Sequence, residues 1–135
     1  MYDKPDTQAL ESALKVSAPD GSAVRPLCRI TGLGSFAHFL LESGQVAKAV
    51  SHATVQEIWY VIAGTGTMWR RQGEAEPTIA DLRPGVCLTI PLGTAFQFRA
   101  DAAGAPLEVI AVTMPPWPLD DAHEARPEQG PWMPT

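Results

Sequence analysis

From Val24 onward, apolar and polar positions alternate in runs of five to eight residues, each bounded by glycine, proline or a small polar cluster. A period of two is the mark of a half-buried strand, since successive side chains leave opposite faces of the backbone. It predicts strands at Val24–Ile30, Ser35–Glu42, Val46–His52, Glu57–Ala63, Thr67–Arg71, Thr78–Leu82, Val86–Pro91, Ala95–Asp101 and Leu107–Met114. The turns between them include Gly32-Leu33-Gly34, Ser43-Gly44, Gly64-Thr65-Gly66, Arg83-Pro84-Gly85 and Ala103-Gly104. No sustained helical period intervenes, which excludes a succession of βαβ units. Many short strands with turns at regular spacing indicate an all-β sandwich or barrel.

The two ends read differently. Residues 1–23 contain a stretch, Asp6–Leu14, in which Asp6 is placed to cap a short helix, with Leu10 and Leu14 four apart on one face. Pro19-Asp20-Gly21 then makes a turn. Residues 24–114 hold the strands. Residues 115–135 open on Pro115-Pro116-Trp117-Pro118, which cannot continue a central strand because proline lacks the donor N–H. This last segment is expected to be an extended arm, with Trp117 and Trp132 anchoring it to the barrel or to a partner subunit.

Composition narrows the function. The chain has 135 residues, enough for one domain, and 19% of them are charged. Ten Lys and Arg against fifteen Asp and Glu give a formal net charge of -5, without the basic stripe that a phosphate backbone or an anionic membrane surface requires. Neither nucleic acid nor membrane is therefore expected as a partner. The N-terminus does not resemble a signal peptide, and no apolar run approaches the roughly 20 residues of a membrane span. A cytoplasmic location is the resulting expectation. The two cysteines, Cys28 and Cys87, have no CxxC spacing and read as buried free thiols.

Candidate chemistry lies in the middle of the chain. Gly44 is followed by five residues, Val50, one residue, His52, four residues, Glu57, six residues and Gly64. Further on, Gly85 is followed by five residues, Pro91, one residue, Gly93, two residues, Phe96, three residues and Ala100. This skeleton resembles the two motifs of the cupin superfamily, G(X)5HXH(X)3–4E(X)6G and G(X)5PXG(X)2H(X)3N. Glu57-Ile58-Trp59-Tyr60-Val61-Ile62-Ala63-Gly64 is similar to the strand and turn of small single-domain cupins. The resemblance implies a double-stranded β-helix, or jelly-roll, barrel. It also implies pairing as a homodimer, a role suited to the tail.

The resemblance further implies a metal site of three His and one Glu, and here the sequence departs from it. Val50 stands at the first His position and Phe96 at the last, leaving His52 and Glu57. Hydrocarbon cannot ligate a metal, so no cofactor is expected. The alternative is a divalent transition metal held by His52, Glu57 and His38, His38 lying on a neighbouring strand. Strand parity places Lys48 and Val46 on the same side as Val50 and His52, and Trp59 on the same side as Glu57. Phe96 and Phe98 share a face. The expected pocket is therefore apolar and formed by Val50, His52, Glu57, Trp59, Phe96, Phe98 and His38. Arg70, Arg71 and Arg99 are candidates to meet an anion at its mouth, although Arg70 and Arg71 leave opposite faces.

The leading reading is a small-molecule-binding protein in which His52 and Glu57 orient a polar group of the ligand. Alternatives are an enzyme of the isomerase, epimerase or dioxygenase type acting on a small sugar or acid, with or without metal, and a structural module whose pocket is vestigial.

Overall fold

The computed structural model describes residues 2–120 and 122–135. They form two antiparallel sheets. Strands β1 (Val16–Ser17), β2 (Ala23–Ile30), β3 (Gly34–Leu41), β5 (Gln56–Ala63), β8 (Cys87–Ile90) and β10 (Leu107–Met114) make one sheet, in the order β1-β2-β3-β10-β5-β8. Strands β4 (Val50–His52), β6 (Gly66–Arg71), β7 (Thr78–Leu82), β9 (Ala95–Ala100) and β11 (Ala125–Pro127) make the other, in the order β11-β4-β9-β6-β7. Consecutive strands repeatedly cross between sheets, as in a jelly-roll barrel.

Alternation explains the core. On β5, Glu57, Trp59 and Val61 are buried, whereas Ile58, Tyr60 and Ile62 face outward. On β10, Leu107, Val109 and Ala111 point in. These meet Met68, Phe96 and Phe98 of the opposite sheet in one apolar cluster that includes Leu41, Leu82 and Ile90. Leu41, Val61, Leu107 and Val109 are completely buried. Each contributes about 1.5–3 kcal/mol relative to an exposed side chain. The turn glycine Gly64 has φ of 74° and lies against the Pro106 carbonyl, so no side chain fits there.

Three local expectations differ from the structure. In place of a capped helix over Asp6–Leu14 there is one 3-10 turn, Leu10–Ser12. Leu14 is 75% exposed, so the segment buries no apolar face to offset the cost of helix nucleation. The strand expected from Val46 begins at Val50, because the chain leaves the ladder over residues 47–49: Ala47 N–H donates to the Phe98 carbonyl and Lys48 N–H to the Asp20 carbonyl. Ala47 is consequently buried and Lys48 exposed, the reverse of the parity expectation. The cysteines are free but not deeply buried: Cys87 points outward, and Cys28 is half-buried.

Both ends of the chain join the barrel. Strand β1 pairs with β2, and β11 pairs with β4. Beyond β11 the tail is latched by Gln97, a buried side chain on β9. Its amide donates to the Ala47 and Trp132 carbonyls, each at 2.9 Å, and its oxygen accepts from Trp132 N–H at 3.1 Å. The Arg99 guanidinium lies 4.1 Å from the Trp132 ring centroid. Trp132 thus anchors the tail to its own barrel. Replacing Gln97 with Leu removes three hydrogen bonds and strands their partners. The expected cost is about 2 kcal/mol in urea denaturation, with new protease sensitivity after Pro127.

Candidate ligand-binding site

A cavity of about 420 Å³ opens between the sheets at the end where the N-terminal segment and the tail converge. The inward faces of β3, β4, β5 and β9 supply Phe39, Val50, His52, Glu57, Trp59 and Phe96. Residues 16–20 and 26–29 form one part of the rim, and Trp117, Pro118 and Leu119 another. The walls are mainly hydrocarbon and aromatic ring.

Trp59 is the centre of the aromatic wall. Phe39 stacks on it at 5.6 Å and 12°, while Phe96 and Phe98 meet it edge-on at 5.9 Å and 4.8 Å. Its indole N–H donates to Glu57 Oε1 at 3.3 Å, a contact set by their i, i+2 placement on one strand face. Glu57 Oε2 lies 3.1 Å from His52 Nδ1. That approach falls short of an aligned hydrogen bond, so the buried Nδ1 has an electrostatic neighbour but no hydrogen-bond partner. The imidazole is clasped edge-to-face by Phe96 at 5.3 Å and Trp117 at 5.1 Å.

The structure thus brings together five of the seven expected pocket residues: Val50, His52, Glu57, Trp59 and Phe96. The other two stand elsewhere. Phe98 is packed behind Trp59 in the core. His38 leaves the outer face of β3, next to the inward-facing Phe39, and its Nε2 lies 2.8 Å from Glu108 Oε1. Alternation therefore separates His38 from His52 and Glu57, and these three cannot converge on one ion. Val50 and Phe96 face each other across β4 and β9 at the two remaining motif positions and offer no donor atoms. Among the described residues, no group of three or more His, Cys, Asp and Glu is arranged to hold a metal ion. The donor set does not fit the metal centre that the motif resemblance implies.

The basic candidates for the mouth are also placed elsewhere. Arg70 donates to the Thr89 carbonyl, Arg71 is 3.8 Å from Glu128, and Arg99 covers Trp132. Trp69 is buried away from the cavity, with Arg71 over its ring. Arg29 is the basic side chain on the cavity lining, and it donates to the Trp117 carbonyl at 3.3 Å.

Asp20 is the site residue that sequence reasoning missed. It is 7% exposed and lines the cavity. Its Oδ1 accepts from Ser22 N–H at 2.9 Å and from Ser22 Oγ at 2.6 Å, an Asx turn. The pattern Asp20-Gly21-Ser22 encodes that turn, but nothing in it reveals that the turn is tucked inside the rim. Burial pushes the Asp20 carboxyl above its usual range, and the negative charge of Glu57 adds to this; the Ser22 donors and His52 oppose it without cancelling it. Glu124, which receives the hydrogen bonds of Thr54 and Val55, shifts the other way. Burial pushes it up, but hydrogen bonds from the Thr54 hydroxyl and the Thr54 and Val55 N–H groups, together with His52, hold it below the usual range.

No family model and no curated protein matches the sequence. Solved structures do match the fold. CapF of Staphylococcus aureus, a capsular polysaccharide assembling protein, aligns with a TM-score of 0.75 at 12% identity over 87% of this chain and 34% of CapF. The chain therefore spans about a third of the length of CapF. KdgF from Halomonas sp. aligns with a TM-score of 0.69 at 19% identity, covering 87% of this chain and 98% of KdgF. A Streptomyces PAC13 variant solved with uridine aligns with a TM-score of 0.69 at 13% identity, covering 93% and 92% of the two chains. These are cupin-fold proteins. The fold here is the cupin jelly-roll barrel.

The two displaced carboxyls have opposite linkage. A raised folded-state pKa gives stability that is present below the unfolded value and is lost as pH rises through the folded one. Asp20→Asn retains an oxygen for both Ser22 donors, so it is expected to melt above the parent at pH 7 and level with it near pH 3. A depressed pKa gives stability present above the unfolded value and lost as pH falls through the folded one. Glu124→Gln is expected to lose about 1 kcal/mol at pH 7. That deficit should close as pH falls below about 4. Thermal melts across pH read both.

Proposed function

We propose that the protein binds a small molecule inside the barrel, in a largely apolar cavity where His52 and Glu57 orient a polar group of the ligand. The observation that carries this reading is the cavity itself. Its volume of about 420 Å³ is within the range of small-molecule sites. Its inner end holds a buried imidazole whose Nδ1 lacks a hydrogen-bond partner. A buried polar atom without a partner costs about 1–3 kcal/mol, which a ligand atom at that point offsets. Hydrocarbon at Val50 and Phe96 favours a ligand with an apolar body over a metal-bound one.

A metal-independent enzyme is the second reading, favoured by one observation. Asp20, with its raised pKa, lines the same cavity as the His52–Glu57 pair, so a potential proton donor and a potential acceptor face one space.

Native mass spectrometry of the untagged protein and a thermal-shift screen test the binding reading. A retained small molecule, or stabilisation by several degrees, is the expected result. Ala37→Trp, on the cavity wall, should abolish either signal while leaving the fold intact by circular dichroism. Retention or stabilisation that persists unchanged in that variant refutes binding in this cavity. Turnover of a bound compound that is lost in His52→Ala, while binding survives, moves the assignment to the enzyme.

A further inference from the structure

We propose that the ligand is a small organic cation, a protonated amine on an aromatic or other apolar body, with its ammonium group against Asp20 and Glu57 and its body among Trp59, Phe96 and Trp117. This deepens the ligand-binding reading above and rests on it.

The argument begins with the charges inside the cavity. Two buried carboxyls, Asp20 and Glu57, line its interior, and they come from separate elements: the loop between β1 and β2, and the start of β5. Among the described residues, the buried part of the lining holds one basic group, the His52 imidazole. One imidazole neutralises at most one carboxylate. The rim adds Asp6 and Arg29, whose charges cancel. With His52 protonated, the ionised site carries one net negative charge; with His52 neutral, it carries two.

An anionic ligand meets the two carboxyls with repulsion; Arg70, Arg71 and Arg99 are engaged outside the cavity, and Arg29 at its rim is bonded to the Trp117 carbonyl. A neutral ligand leaves the excess charge uncompensated. A cation supplies the missing charge. Glu57 lies close enough for its negative charge to oppose ionisation of the Asp20 carboxyl, and a cation placed against both carboxyls relieves that repulsion.

The walls fit the same chemistry. The faces and edges of Trp59, Phe96 and Trp117 enclose the space beside the two carboxyls. Aromatic rings attract a cation through their quadrupole, most strongly when water is excluded. The same rings accept an aromatic or aliphatic body. Carboxyls inside an aromatic cage select an ammonium group on an apolar frame. A sugar offers neither the charge nor the hydrocarbon.

Isothermal titration at pH 7 with three matched probes tests this: 2-phenylethylamine, 2-phenylethanol and 3-phenylpropionate. The amine is expected to bind at least tenfold tighter than the alcohol, with the carboxylate weakest. Asp20→Asn, checked for folding by its melt, is expected to reduce the amine's advantage over the alcohol several-fold. If the alcohol or the carboxylate binds as tightly as the amine, the cation assignment is overturned and the binding reading stands. If the amine is preferred equally in Asp20→Asn, the placement against Asp20 is overturned. If none of the three binds, and Ala37→Trp leaves the native mass spectrum unchanged, both readings fall together.

Discussion

Ionisable side chains enclosed by hydrocarbon set the terms for the rest of this molecule. The inward face of a closed barrel is dry, and each polar group admitted there must find a partner or carry an energetic cost. His52, Glu57 and Asp20 are all at most 7% exposed. Glu57 is held by the Trp59 indole, Asp20 by both donors of Ser22, and His52 by two aromatic edges and an imperfectly aligned carboxylate. The supports of the two carboxyls are local, built from residues two apart on a strand or a turn, whereas the aromatic edges on His52 come from distant parts of the chain. The barrel's work is to bring those local units to the same space.

The surrounding architecture is matched to that task. Phe39 of β3 and Trp59 of β5 stack over the β10 strand between them, and Phe98 of the opposite sheet meets Trp59 edge-on, which fixes the aromatic wall. Glu124 organises the loop after β4 by accepting from two successive backbone N–H groups. It also lies near enough to His52 for their charges to interact, so the imidazole has two carboxylate neighbours, Glu57 and Glu124. Hydrocarbon at Val50 and Phe96 leaves the polar atoms of the cavity confined to a few side chains.

Much of this was legible in the sequence. A period of two over β5 and β10 fixed which residues face in, and the glycine spacing located the site on β4, β5 and β9. Parity succeeded wherever the strand was continuous. It failed at Ala47 and Lys48, where the chain leaves its ladder to meet the Asp20 loop, a long-range event without a local signal. It also does not say which of the two faces of β3 is inside, so the expected pocket includes His38; the Phe39–Trp59 stack puts Phe39 inside and His38 on the other face. Asp20 was illegible for a related reason. A Pro-Asp-Gly turn looks the same on a surface and inside a rim, and only the pairing of β1 with β2 draws it inward.

The walls of the cavity are unequal in what constrains them. The inner wall is made of ladder residues, each committed to a neighbouring strand and to the core. Much of the outer rim is made of residues 16–19 and 117–119, which lie outside the long strands. Evolution can therefore alter what enters this barrel by changing these two rim segments, while the strands that keep it folded stay untouched. Descendants of one scaffold that diverged in this way would share their skeleton and differ most along the lip of the opening.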